Sequence, residues 1–313
     1  MKREPILIAG TGAMACLFAA RLAPLTQVTM LGTWEDGLAA LQDHGVRLVG
    51  TDGAETSVSV HATSDPQDCV GHRLALVLVK SWQTERSARQ LSNCLTPDGV
   101  ALTLQNGLGN LEILQEKIGQ ARAALGVTTA GATLLGPGHV RAGGAGPTTI
   151  RSQPGLDPLI DLLQESGFEV KTADDLDGLV WGKLAINAAI NPLTALLGVP
   201  NGELPKRADA LAVMIAAAQE TAAVAAKRGV RIPFDDPGSA AVDVAQKTAT
   251  NRSSMLQDVT RGAPTEIDSI CGAIFREGER VDVPTPTNWT LWHLIRAKFL
   301  SNQEIVHDRR DDV

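Results

Sequence analysis

ILIAGTGAMACLFAARLAPLTQVTML, residues 6–31, reads as a strand, a glycine turn, a helix and a second strand. Ile6 to Ala9 is a short apolar run, and Gly10-Thr11-Gly12-Ala13-Met14-Ala15 follows it. Cys16 to Leu22 carries helical patterning that stops before Pro24, and Gln27 to Leu31 is again strand-like. Between two strands the pattern GxGxxA has a physical meaning. Gly10 permits the tight turn, Gly12 lets the backbone approach a pyrophosphate, and Ala15 lets the helix pack close to the sheet. The helix N-terminus offers an anion unpaired N–H groups and the positive end of a dipole. Small-residue turns also serve packing alone, so it is the placement that gives the motif weight.

Working outward, Val58 to Ala62, Leu74 to Val79 and Val100 to Leu104 are further strand candidates. Helical patterns at Glu85 to Leu95 and Leu108 to Ile118 lie between them. This alternation predicts a mostly parallel sheet covered on both faces. Gly131 to Gly155, rich in glycine and proline, predicts turns and short antiparallel strands. From Leu176 helices dominate: Leu179 to Ala189, Ala208 to Arg228, Ser239 to Thr248, Arg252 to Thr260, Thr265 to Glu277 and Asn288 to Leu300. The expected class is α/β, an N-terminal Rossmann-type doubly wound sheet followed by an all-α C-terminal domain. The expected division is 1–174, dinucleotide-binding, and 175–313, helical, with a frayed tail from Ser301.

The 313 residues suit two domains, and 44% apolar with 20% charged residues is ordinary for a folded chain. A net charge of -7 gives no reason to expect nucleic acid or an anionic membrane as partner. Cys16, Cys69, Cys94 and Cys271 show no CxxC spacing, which fits buried thiols in a reducing compartment better than disulfides or a metal site. No apolar run approaches the roughly 18 residues needed to span a bilayer. Met1-Lys2-Arg3-Glu4-Pro5 leads straight into a strand rather than a signal-peptide core. The expectation is a cytoplasmic protein.

WGKLAINAAINPLTALLGVPN, residues 181–201, places one lysine and three asparagines in an alanine-rich background. Lys183, Asn187 and Asn191 fall at i, i+4 and i+8, one face of a helix. Pro192 then predicts a kink, because it lacks an N–H and disfavours helical dihedrals at Asn191. A solvated stripe is the competing reading, but asparagine is a poor helix former and an unusual choice for one. The pattern suits the wall of a polar pocket. Lys80 closes the run LALVLVK, and Gln105-Asn106-Gly107 closes VALTLQ. Both stand where an open α/β sheet binds ligands. A surface lysine and a hairpin turn are the alternatives, though a helical pattern rather than a strand follows Asn106-Gly107. Asn251-Arg252-Ser253-Ser254 offers Asn251 or Ser253 as a helix cap. Thr265 and Asp268 resemble a capping box around Glu266.

Taken together, GTGAMA at Gly10, VKSWQT at Val79, LQNGLGN at Leu104, KLAINAAINPLTALLGVPNGEL at Lys183 and NRSSMLQDVTRGAPTEIDSICGAI at Asn251 resemble the ketopantoate reductase family. The resemblance runs from Ile6 to about Lys298. It implies NADPH-dependent reduction of 2-dehydropantoate to (R)-pantoate, a step toward pantothenate and coenzyme A. Lys183 resembles the family's proton donor. Asn187, Asn191, Asn201 and Ser254 resemble its substrate contacts. Gly10, Thr11, Gly12, Ala13, Met14, Ala15, Lys80, Asn106 and Glu266 resemble cofactor-side residues. The implied partner is a small 2-oxo acid, with no nucleic acid, membrane or metal, and a homodimer is left open.

Two positions depart from the pattern. Thr33 stands where many relatives carry an arginine for the 2′-phosphate of NADPH, and Glu35 and Asp36 follow it. No acid sits at Met30 or Leu31, where an NAD-type ribose contact belongs, so NADP is expected with NAD as the alternative. Cys271 replaces an asparagine common in relatives and reads as packing. A paralogue acting on another 2-oxo acid is one competing function. A silent dinucleotide sensor is another, and the presence of Lys183 counts against it.

Overall fold

The computed structural model describes residues 3–308 apart from residue 145. The chain divides into two units, 1–105 with 109–176, and 106–108 with 177–313.

In the first unit the chain runs β1 (Ile6–Ala9), α1 (Ala13–Leu22), β2 (Val28–Leu31), α2 (Glu35–His44), β3 (Val46–Val49), β4 (Glu55–Val58), β5 (His61–Thr63) and β6 (His72–Val77). It continues with α3 (Thr84–Cys94), β7 (Leu95–Thr103), α4 (Asn110–Ile118), β8 (Ala123–Thr128), β9 (Ala132–Gly136), β10 (His139–Ala142), β11 (Thr148–Arg151), α5 (Asp157–Glu165) and β12 (Val170–Ala173). The larger sheet has the order β12-β11-β8-β7-β6-β1-β2-β5. Its six strands from β5 to β8 are parallel, and β11 pairs antiparallel to β8. The order reverses beside β1, which is where a doubly wound sheet opens a ligand crevice.

Side-chain alternation explains the two covered faces. Ile6, Ile8, Leu74, Leu76 and Leu102 join the core on the α1 side. Leu7, Ala75, Val77 and Ala101 join a second core with Ala88, Leu91 and Leu114 of α3 and α4.

The expected strand Val58 to Ala62 is corrected. β4 pairs antiparallel with β3 in a separate four-stranded sheet, whereas β5 pairs parallel with β2, so the chain changes sheets at Ser59 and Val60. A short apolar run does not specify its partner. The glycine-rich stretch forms the β9–β10 hairpin, as expected.

The second unit contains α6 (Asp177–Leu197), α7 (Ala208–Lys227), α8 (Pro237–Lys247), α9 (Ser254–Thr260), α10 (Cys271–Arg280) and α11 (Pro286–Asp308). Three expectations change here. First, α6 does not end before Pro192 but runs through it to Leu197. Residues 188–195 are buried, and the Thr194 hydroxyl donates to the Ile190 and Asn191 carbonyls at 3.0 and 2.9 Å, so tertiary packing and a side chain hold the weakened turn.

Second, Thr265 to Ile270 is a set of turns, and helix begins only at Cys271. The Ser269 carbonyl accepts from the Leu108 N–H at 2.9 Å, which draws the chain out of a helical path. Thr265 and Asp268 therefore do not cap α10. Third, α7 is long and apolar enough by composition to cross a membrane, with mean hydropathy 1.3. Asp209 and Glu220 interrupt its apolar sequence, which hides its length from a reading of unbroken runs. Ala210, Met214, Ala217, Ala218, Val224 and Ala225 on one side of it are buried in the core of this unit. The final helix continues beyond Leu300 to Asp308, and the rest of the expected frayed tail lies outside the described residues.

Candidate active site

In the first unit the residues expected to face a dinucleotide gather at the carboxyl ends of β1, β2 and β6. Gly10 has φ +132°, and a Cβ there would come within 3.1 Å of the Leu78 carbonyl group, so this turn demands glycine. Thr11 is buried against Gly32, where a Cβ would lie 2.5 Å from its side chain. Ala15 is fully buried under the sheet, while Ala13 and Met14 are partly covered by the same core.

Gly12 differs from Gly10. It occupies the N-cap of α1 with no side chain capping the helix, and a Cβ there would meet nothing within 4 Å. Open space in front of uncapped N–H groups, with no carboxylate in the first turn, fits a pyrophosphate.

Lys80 is half-buried in the loop after β6. Gln105 ties that loop to the end of β7: its Nε2 donates to the Val79 carbonyl at 2.9 Å and to Thr84 Oγ1 at 2.8 Å. Thr84 in turn donates to Asn110 Oδ1 at 2.8 Å. Sequence reasoning did not assign this bracing to Gln105. Thr33 is exposed just past β2, and Glu35 and Asp36 lie in the first turn of α2, where the helix dipole favours carboxylates.

In the second unit the structure brings Lys183, Asn106 and Glu266 together. Asn106 Nδ2 lies 3.5 Å from Glu266 Oε2, and the buried Glu266 acts electrostatically on Lys183. Burial pushes the Lys183 ammonium down from 10.5 to about 8, with the Glu266 carboxylate opposing the shift. Gly107 has φ +85°, and a Cβ on it would clash with Ser269 at 2.5 Å. That close approach lets the 106–108 segment sit against the Glu266 turn.

Asn187 and Asn191 follow Lys183 along one face of α6, the second half-buried and the third buried. Asn201 is buried. Its N–H donates to the Asn251 carbonyl at 3.0 Å and its Nδ2 donates to Thr248 Oγ1 at 2.9 Å. Asn201 Oδ1 has no hydrogen-bond partner among the described residues. Ser253 is the N-cap of α9, accepting from the Leu256 N–H at 3.0 Å, which leaves Ser254 exposed as the first helical residue. Thr194 and Thr248 were missed by the sequence reading. A threonine two positions after a mid-helix proline was the available signal for Thr194.

The four cysteines are buried free thiols. Burial pushes Cys16 up to about 12 and raises Cys271 as well, so neither is poised as a nucleophile. The Cys69 thiol donates to the Asp65 carbonyl at 3.9 Å and the Cys94 thiol to the Pro66 carbonyl at 3.4 Å.

A family model described as ketopantoate reductase PanE/ApbA matches residues 6–155, and its C-terminal companion matches residues 175–299. The 2-dehydropantoate 2-reductase of Archaeoglobus fulgidus is 35% identical, over 95% of this chain and 98% of that one. This chain belongs to the ketopantoate reductase family. A second member, the 2-dehydropantoate 2-reductase of Halobacterium salinarum, is 34% identical over 93% of this chain and 97% of its own. Among solved structures, a PanE/ApbA family ketopantoate reductase from Ralstonia eutropha matches with TM-score 0.89 and 32% identity, covering 96% of this chain and 99% of that one. A D-mandelate dehydrogenase bound to NADH and anilino(oxo)acetate matches with TM-score 0.86 and 27% identity, covering 95% and 99%. The reductase family and this dehydrogenase therefore share one architecture with the chain.

Proposed function

We propose that the protein reduces 2-dehydropantoate to (R)-pantoate with a nicotinamide dinucleotide, NADPH ahead of NADH. The observation that carries this reading is Lys183. It is a lysine held at about 8 beside Glu266, on the helix face that also bears Asn187 and Asn191. Its family membership and the names of its relatives support the substrate.

The dinucleotide, when bound, supplies hydride to the ketone carbon. Gly10 to Ala15 would hold its pyrophosphate against the start of α1, with Thr33 toward the 2′-position and Lys80, Asn106 and Glu266 as further contacts. Negative charge developing on the ketone oxygen is stabilised by the Lys183 ammonium, which then donates its proton there. Such general-acid assistance is typically worth roughly 10²–10⁴-fold. Asn187, Asn191, Asn201 and Ser254 are neutral hydrogen-bonding groups suited to the hydroxyl, carbonyl and carboxylate of a small acid. The proposed division of labour is a dinucleotide-binding part over 1–174 and a helical substrate part over 175–313, in a cytoplasmic enzyme.

A second reading, reduction of a different 2-oxo acid, is favoured by the likeness to D-mandelate dehydrogenase. Initial rates with 2-dehydropantoate, its analogue lacking the hydroxyl, and an aryl 2-oxo acid, each with NADPH and NADH, decide between the two. Turnover confined to the aryl acid would overturn the first reading.

A further inference from the structure

Four hydrogen bonds join the start of α9 to the backbone of α6 at Asn191. The Leu256 N–H donates to Ser253 Oγ at 3.0 Å, and Ser253 Oγ lies 2.7 Å from Thr194 Oγ1. The Thr194 hydroxyl is shared between the carbonyls of Asn191 at 2.9 Å and Ile190 at 3.0 Å. Each hydroxyl has one hydrogen to give. Because the hydrogen of Thr194 is directed to the carbonyls, the hydrogen of Ser253 is the one between the two side chains. The chain of donation therefore runs one way, from Leu256 through Ser253 and Thr194 to Asn191.

Both hydroxyls are buried, Thr194 completely. They connect the two places where substrate contacts are proposed, Asn191 on α6 and Ser254 directly after Ser253. The connection falls where α6 is least able to hold itself. Pro192 has no N–H, so one rung of the helix ladder beside Asn191 is missing. The stretch that ends in Ser253 also holds Asn201, through the Asn251 carbonyl and Thr248 Oγ1.

We infer that Thr194 and Ser253 are positioning residues that hold Asn191 and Ser254 in register for the 2-oxo acid. This rests on reading those two residues as substrate contacts. Neither hydroxyl needs to touch the substrate. A reacting group displaced by about 1 Å through a remote change can lose about a hundredfold in rate.

The test uses Thr194→Val, which keeps shape and removes the hydroxyl, and Thr194→Ser, which restores it. Ser253→Gly is the second probe, because glycine is well tolerated at an N-cap and leaves α9 able to start. Each variant is assayed for kcat and for the KM of the 2-oxo acid and of the coenzyme separately, with Tm measured alongside. The expected result is a loss of about tenfold to a hundredfold in kcat/KM for the 2-oxo acid in Thr194→Val and Ser253→Gly, at unchanged coenzyme KM. Thr194→Ser should recover most of it. The double variant should be no worse than the poorer single one, since both break the same chain of bonds. Unchanged kinetics with a lowered Tm, equal losses for acid and coenzyme, or additive losses would each overturn the assignment. A wild-type protein that turns over no 2-oxo acid would instead overturn the proposed function, and this inference with it.

Discussion

Glu266 and Lys183 are electrostatically opposed to the environment that surrounds them: burial favours the neutral amine, and the carboxylate favours the ammonium. The proton on Lys183 is thus available at a lower pH than on a surface lysine, yet is retained near neutrality. Two pH predictions follow from that balance. In the direction of reduction, kcat/KM should be flat at neutral pH and fall as pH rises through about 8, as the general acid loses its proton. Glu266→Gln removes the opposing charge and should move that falling limb to lower pH. A pH–rate profile of both proteins checks this, and an unmoved limb would separate Glu266 from the titration.

The same group affects stability. Its folded value of about 8 lies below the ordinary 10.5, so between these values the unfolded chain binds more protons than the folded one. Stability should therefore rise with pH across that window, and the burial cost is fully present below it. Lys183→Met should abolish this contribution, which denaturant unfolding at several pH values would detect as a flatter dependence. Lys183→Ala should lower kcat by about two to four orders of magnitude while leaving dinucleotide binding intact.

Gly10 and Gly12 should respond differently to substitution. Gly10→Ala places a side chain at φ +132° against the Leu78 carbonyl group and should reduce thermal stability. Gly12→Val enters open space, so the fold should survive while dinucleotide affinity falls sharply. Tm and a fluorescence titration, measured on both variants, distinguish a folding defect from a binding defect. Equal affinity in Gly12→Val and the parent would exclude the backbone contact.

Thr33 sets the coenzyme prediction. An uncharged hydroxyl beside Glu35 and Asp36 should give a modest preference for NADPH, since charge-assisted bonds are roughly twice as strong as neutral ones. Thr33→Arg should sharpen the preference, more so at low ionic strength. The ratio of kcat/KM for the two coenzymes at two salt concentrations measures it. A ratio that does not move would place Thr33 away from the 2′-position.

The parallel sheet was legible because Ile6 to Leu31 combines an apolar run, a glycine turn and a second run within one supersecondary unit. That Lys183, Asn187 and Asn191 share one face of a helix was legible from spacing alone. What was hidden depends on contacts between distant residues. How far α6 continues past Pro192 was hard to read, because much of the burial and the Ser253–Thr194 bond that support it come from elsewhere. Thr265 to Ile270 begins like a capped helix, but its β-branched and short polar residues favour turns, and the Leu108 N–H reaching the Ser269 carbonyl comes from a distant segment. The approach of Asn106 to Glu266 is likewise invisible to spacing: Asn106 stands out by its place at a strand end, and Glu266 only by resemblance.

The grouping of residues 106–108 with the helical unit has a practical corollary for recombining relatives. A chimera joined once, near Leu176 and Asp177, would inherit Asn106, Gly107 and Leu108 from one parent and Glu266 and Ser269 from the other. Gly107 tolerates no side chain against Ser269, and the Leu108 N–H is matched to its carbonyl. Exchanging the C-terminal half of this chain therefore needs three joints, one on each side of the tripeptide and one near Leu176, so that residues 106–108 travel with it.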